Sequence, residues 1–129
     1  MSHIVSTSHI LAVAEPESAS RISRILAPFG YILHIVTDSS EAMRSVAEEP
    51  PEVVIISGAL AGTAGFSLLR TLRTSRGTEE LPVMFLAGNV PDDEVRAYQL
   101  GAEDVFKPDT SDVALRARLR VLLDRKSVV

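Results

Sequence analysis

PEVVIISGALAGTAGFSLLRTLR, residues 51–73, is the clearest structural statement in the chain. Val53-Val54-Ile55-Ile56 is apolar at every position, without the alternation of a half-exposed strand. Such a run suits the centre of a parallel sheet covered by helices on both faces. A connection carrying Gly58, Gly62 and Gly65 follows, and it reads as a flexible strand-to-helix link. From about Phe66 to Thr74 the spacing turns helical, with Leu68, Leu69 and Leu72 inward.

The same alternation extends in both directions. Upstream, Ile10–Ala14 is a short apolar strand stopped by Glu15-Pro16, and Pro16 suits a first helical turn. Ala19, Ile22, Ile25, Leu26 and Phe29 recur at helical spacing until Gly30. Tyr31–Val36 reads as an aromatic and β-branched strand. Asp38 with Glu41 has capping-box spacing for a helix that turns Ala42, Val46 and Ala47 inward and stops at Pro50-Pro51. Downstream, Leu81–Leu86 is a strand, Asp92–Leu100 a helix closed by Gly101, and Val105-Phe106 a short strand. Ser111 to about Arg125 is the last helix, with Leu115, Leu119 and Leu122 on one side and Val121 beside them. Strands alternating with helices through short connections imply one α/β domain built on a parallel sheet. Residues 1–9 read as a polar tail, 10–125 as the domain, and 126–129 as a second tail or the start of a linker.

Composition excludes several classes of function. The 129 residues contain no cysteine, which removes a disulfide framework, a thiolate nucleophile and cysteine-ligated metal. Thirteen Lys+Arg against 17 Asp+Glu give a formal charge of −4, unfavourable for direct nucleic-acid binding. No apolar stretch is long enough to span a membrane. The turn after the first strand is Ala-Glu-Pro-Glu rather than a GxGxxG, no GxxxxGK[ST] occurs, and no serine sits in a GxSxG elbow. His3, His9 and His34 lack the spacing of a zinc site. The expectation is therefore no enzyme, no metal and no cofactor.

In doubly wound sheets the functional crevice lies beyond the carboxyl ends of the strands. That directs attention to Ala14 and Glu15, Thr37 and Asp38, Ser57 to Leu60, Ala87 and Gly88, and Lys107 and Pro108. Four segments then carry a resemblance to the two-component response-regulator receiver domain: ILAVAEPE (10–17), PEVVIISGALAGTAGFSLLRTLR (51–73), LPVMFLAG (81–88) and GAEDVFKP (101–108). The resemblance implies a flavodoxin-like, CheY-like three-layer sandwich with five parallel strands in the order 2-1-3-4-5. It also implies a cytoplasmic signalling module that takes a phosphoryl group from a histidine kinase onto an aspartate, with a magnesium ion assisting.

Carried over residue by residue, the resemblance places the phosphoacceptor at Ser57 and the acidic pair at Ala14 and Glu15. The carbonyl that would face the metal belongs to Ala59, and a usual loop proline falls on Ala61. The switch hydroxyl falls on Ala87, the lysine is kept as Lys107, and the aromatic switch position falls on Val105 or the adjacent Phe106. Only Glu15 and Lys107 survive from the family's charged set, so an ion pair between them across the crevice is expected, against a solvated lysine. Read on their own, Glu15 favours a helix start, and Ser57 is a small polar strand end that bonds nearby backbone.

The reading that results is a degenerate receiver, or pseudo-receiver, that is not phosphorylated by the aspartyl route and acts through protein contact or dimerisation. The resemblance places that contact on the face of helix four, strand five and helix five. There Arg116, Arg118 and Arg120, together with Asp92, Asp93 and Glu94, pattern the charge. Read without the resemblance, the same arginines are a solvated helix face, with Arg116 and Arg120 one turn apart on its outer side. A histidine kinase or a fused output domain is an implied partner, since the family often continues beyond its last helix. The alternatives are small-molecule or anion sensing at the altered crevice, or a regulatory domain of a larger DNA-binding or enzymatic regulator.

Overall fold

The computed structural model describes residues 8–60 and 63–127, the last three by backbone alone. Ala61, Gly62, His3 and the ends of both tails fall outside these residues. The elements are β1 (His9–Val13), α1 (Pro16–Leu26), a 3₁₀ turn (Ala27–Phe29), β2 (Ile32–Val36), α2 (Ser39–Glu48) and β3 (Val53–Ser57). They continue with α3 (Ala64–Thr74), β4 (Val83–Leu86), α4 (Asp93–Gln99), β5 (Asp104–Phe106) and α5 (Asp112–Ser127). All strand pairs are parallel, in the order β2-β1-β3-β4-β5.

Side chains of successive strand residues point to opposite faces, so each central strand feeds two cores. Val54, Ile56, Val83, Phe85 and Val105 pack with Leu68, Leu69 and Leu72 of α3 and Ala97 of α4. Val53, Ile55, Met84 and Phe106 pack with Ile22 and Ile25 of α1 and Leu115, Leu119 and Leu122 of α5. All five residues of β3 are buried, as its unbroken apolar run requires.

Several boundaries and positions differ from the sequence reading. Leu81 and Pro82 stand outside β4 because the Leu81 amide is used in a turn, donating to the Thr78 carbonyl. The backbone of α5 stays helical past Arg125 to Ser127. Phe29 is exposed rather than core, because the 3₁₀ turn takes it out of the phase of α1; it stacks on Tyr31 with ring centroids 6.0 Å apart. Val121 is also exposed, since it sits two residues from Leu119 and 100° per residue turns it away from the buried stripe.

Gly58 and Gly65 serve close packing rather than flexibility. A Cβ at Gly58 would lie 2.9 Å from the Leu86 carbonyl oxygen, and one at Gly65 would lie 2.8 Å from that of Ser57. The connection is thereby pressed onto β4 and the end of β3, which fixes the crevice floor.

Leu69 is fully buried in the α3 core. Leu69→Ala is expected to lower unfolding free energy by about 2–5 kcal/mol, read from urea denaturation midpoints at unchanged m-value.

Candidate functional site at the carboxyl edge of the sheet

The first strand ends on Ala14, whose amide still joins the sheet by donating to the Val36 carbonyl. The chain then turns into α1 at Pro16, which has no amide hydrogen to waste at the first helical position. Glu15 is the N-cap, and its Oε2 accepts the Ser18 amide at 2.9 Å. That geometry turns the carboxylate back over the sheet edge, toward the end of β3.

Ser57 is the last residue of β3 and is 1% exposed. Its hydroxyl donates to Glu15 Oε1 at 2.8 Å, and its oxygen accepts the Ala59 amide at 3.1 Å. The Ser18 hydroxyl lies 3.3 Å from the same oxygen. Both oxygens of Glu15 are therefore engaged by groups of this chain. Burial pushes the Glu15 carboxyl up, but the hydrogen bonds from Ser18, Ser57 and the backbone outweigh it and hold it below the ordinary value.

Lys107 follows β5 and lines the same crevice. Its Nζ lies 4.0 Å from Glu94 Oε1 on α4, and both side chains are substantially exposed. The expected Lys107–Glu15 ion pair does not form: Glu15 is committed to the helix start and to Ser57, while Lys107 leans on α4. The crevice between them, about 780 Å³, is lined by Glu15, Ser18, Arg21, Ser57, Gly88 and Lys107 among others. Asp38 does not converge on it, because its carboxylate caps α2 by accepting the Glu41 amide at 2.8 Å.

At the positions expected to switch, Ala87 donates its amide to the Phe106 carbonyl at 2.7 Å and presents only a methyl group. Val105 and Phe106 are both buried, on opposite faces of the sheet. Beside them Asp104, the first residue of β5, is largely buried. Its carboxylate is bound bidentately by Arg118 of α5, with Nε at 2.8 Å from Oδ2 and Nη2 on Oδ1. The Tyr98 hydroxyl of α4 donates to Oδ1 at 3.3 Å. Arg118 also lies over the Phe106 ring, 5.1 Å from its centroid.

The three arginines of α5 do not act as one surface. Arg116 is half-buried and turned toward α1, donating to the Ile25 carbonyl at 3.3 Å and covering the Phe29 ring at 5.1 Å. Arg120, one turn further along, is on that same side and exposed. The shared outer face expected for Arg116 and Arg120 is thus partly an inward seam with α1. Of the acidic group on α4, Asp92 is exposed and Asp93 and Glu94 are half-buried.

The profile of the response regulator receiver domain matches residues 10–120. The chain belongs to that family. The phosphate regulon transcriptional regulatory protein PhoB of Rhizobium meliloti is 30% identical over 118 residues, covering 90% of this chain and 52% of that protein. The signal receiver domain of a signal transduction histidine kinase from Syntrophus aciditrophicus superimposes with a TM-score of 0.85 at 27% identity, covering 95% of each chain. The receiver domain of a sensor histidine kinase from Pseudomonas aeruginosa, with a magnesium ion coordinated in its active site cleft, gives a TM-score of 0.81 at 22% identity, covering 92% of this chain and 99% of that one. The chain spans about half or less of the length of the first curated relatives it matches. Receiver domains of this family are non-catalytic modules of two-component signalling. No helix among the described residues is long and apolar enough to cross a membrane.

The metal that the family implies does not fit the donors present. A magnesium ion requires several oxygen ligands in near-octahedral geometry. Here Ala14 offers no side-chain donor, Ser57 offers a hydroxyl, and the one carboxylate already accepts two hydrogen bonds. Among the described residues no three acidic or histidine side chains converge.

Because the folded Glu15 carboxyl is more acidic than the unfolded one, its contribution to stability is complete above the ordinary value of 4.5 and is lost as pH falls through the folded value. The stability gap between the wild type and Glu15→Gln is therefore expected to be constant near neutrality and to shrink below about pH 4.5, measured by thermal unfolding across the acid range.

Proposed function

We propose that this receiver domain signals without aspartyl phosphorylation, as a module whose output is a fixed protein-contact surface. One observation carries the reading: the side chain at the phosphoacceptor position is a buried serine hydroxyl that donates to Glu15. A serine needs an activating base to become a nucleophile. The neighbouring groups are a carboxylate whose basicity is lowered and a second serine. Phosphoryl transfer also depends on positioned positive charge, and Lys107 pairs with Glu94 instead of reaching toward Ser57. The absence of a hydroxyl at Ala87 removes the group through which a phosphoryl state would be relayed in the family.

The contact surface is the face of α4, β5 and α5. Tyr98 and Arg118 are partly exposed there, and both are bound to the largely buried Asp104, which joins the three elements. Arginine and tyrosine held rigid beside exposed Val95 and Val121 have the composition of an interface centre. The module is cytoplasmic, and the histidine kinases and transcriptional regulators among its relatives support a partner within a two-component pathway, either a kinase or an output domain.

The test is intact-mass analysis after incubation with a small acyl-phosphate donor and magnesium. No adduct is expected; a stoichiometric gain of about 80 Da, one phosphoryl group, would defeat the proposal. Ser57→Ala locates any such adduct: one lost with the hydroxyl lies on Ser57, and one that survives lies on another residue, and either defeats the proposal.

A further inference from the structure

The sheet has two edges, and the chain treats them differently. At β5 the strand is only three residues long, and its Val105 amide is capped by the Tyr98 hydroxyl at 3.3 Å and Asp104 Oδ1 at 3.0 Å. At β2 the described residues provide no such cover. The Ile32 amide donates to the Ser8 carbonyl and the Val36 carbonyl accepts the Ala14 amide, so the even-numbered residues face β1. Alternation then leaves the N–H and C=O of Leu33 and Ile35 pointing at the open edge.

The side chains along this edge carry none of the usual protection. Tyr31–Val36 contains no charge, no proline and no glycine, although edge strands are commonly blunted by such residues. Ile32 is 44% exposed and Ile35 is 37% exposed. On one side of the strand, Ser20, Ser23 and Arg24 of α1 and Ala27 of the 3₁₀ turn line an open depression beside Ile35. On the other side, Glu41, Arg44 and Glu48 of α2 surround a second depression that includes His34.

We propose that β2 pairs antiparallel with β2 of a second copy of this chain, about a two-fold axis through His34. The register is self-complementary. It sets Leu33 opposite Ile35 of the second copy, and all four outward backbone groups of each strand are then paired. Ile32 falls opposite Val36, another apolar pair, and His34 meets His34 at the non-hydrogen-bonded centre. The same axis brings α2 beside its own copy, and because α2 carries both signs, Arg44 can face Glu41 or Glu48 of the second copy. On the other face Ser20 and Ser23 leave room for approach beside Arg24, which leans on Asp112. A second copy is favoured over an unrelated strand because the symmetric register alone matches every one of these features.

The absence of native cysteine makes the register directly testable. Two His34 Cα atoms would stand about 4.5 Å apart, within the range that a disulfide spans. Two Ile32 Cα atoms would be about 13 Å apart at ~3.3 Å per residue. Under mild oxidant, His34→Cys should form a covalent dimer about tenfold faster than Ile32→Cys, because its thiols are held at high effective concentration. Adding Ile35→Lys, which places a charge on the exposed edge, should reduce that rate to the Ile32→Cys level. Equal rates for the two thiols, or a His34→Cys rate untouched by Ile35→Lys, would overturn the proposal.

Discussion

The hydrogen bond from Ser57 to Glu15 closes the carboxyl edge of the sheet. Two carboxylates at this point would repel each other and need a cation between them. A hydroxyl and a carboxylate satisfy one another directly, and a charge-assisted bond of this kind contributes on the order of 1.5–3 kcal/mol. The exchange alters more than the acceptor. It lets Glu15 serve simultaneously as helix cap and as partner to β3, tying α1 to the central strand. Lys107, which lines the same crevice, lies 4.0 Å from Glu94 rather than pairing with Glu15.

The consequence reaches the α4–β5–α5 face. In a domain that responds to a phosphoryl group, the elements around the crevice must have two arrangements of similar energy. Here the connection after β3 is pressed against Leu86, Ala87 offers no hydroxyl, and Asp104 is gripped by Arg118 and Tyr98. Each contact narrows the alternatives available to α4 and β5. On the proposed reading, a receiver whose Glu15 and Ser57 satisfy each other and whose Asp104 is held by Arg118 and Tyr98 is suited to constant presentation of a surface.

The fold was legible because β3 has no polar residue before Ser57 and because turn residues punctuate the other elements at regular intervals. Glu15 at a helix start and Asp38 paired with the Glu41 amide could also be read locally, since capping depends on residues three apart. The site was less accessible. Ser57 and Glu15 are 42 residues apart, and only a resemblance brought them to one crevice. The choice of Lys107 between Glu15 and Glu94 depends on side-chain direction, which no spacing rule encodes. The binding of Asp104 by Tyr98 and Arg118 joins residues 6 and 14 positions away on different helices, which no local spacing rule connects. The arginines of α5 looked equivalent in composition, yet 100° per residue sends Arg118 to β5 and Arg116 to Phe29.

The two edges of the sheet complete the physical picture. A parallel sheet leaves unpaired backbone groups at both outer strands, and each must meet water, a side chain or another chain. At β5 the chain supplies side chains, and the same residues that cap the Val105 amide form the tied surface. At β2 the described residues supply no such cap, and Ile32 and Ile35 stand 44% and 37% exposed on either side of His34. Bare apolar edges invite association, and a sequence under no further constraint would be expected to carry a lysine or proline there. On the proposed pairing, the symmetry of Ile32–Val36 about His34 supplies that constraint, because a pair about His34 uses both open edges and growth stops there. Association at β2 leaves α4, β5 and α5 uncovered at the opposite edge, so a paired receiver would still present its tied surface, now in two copies.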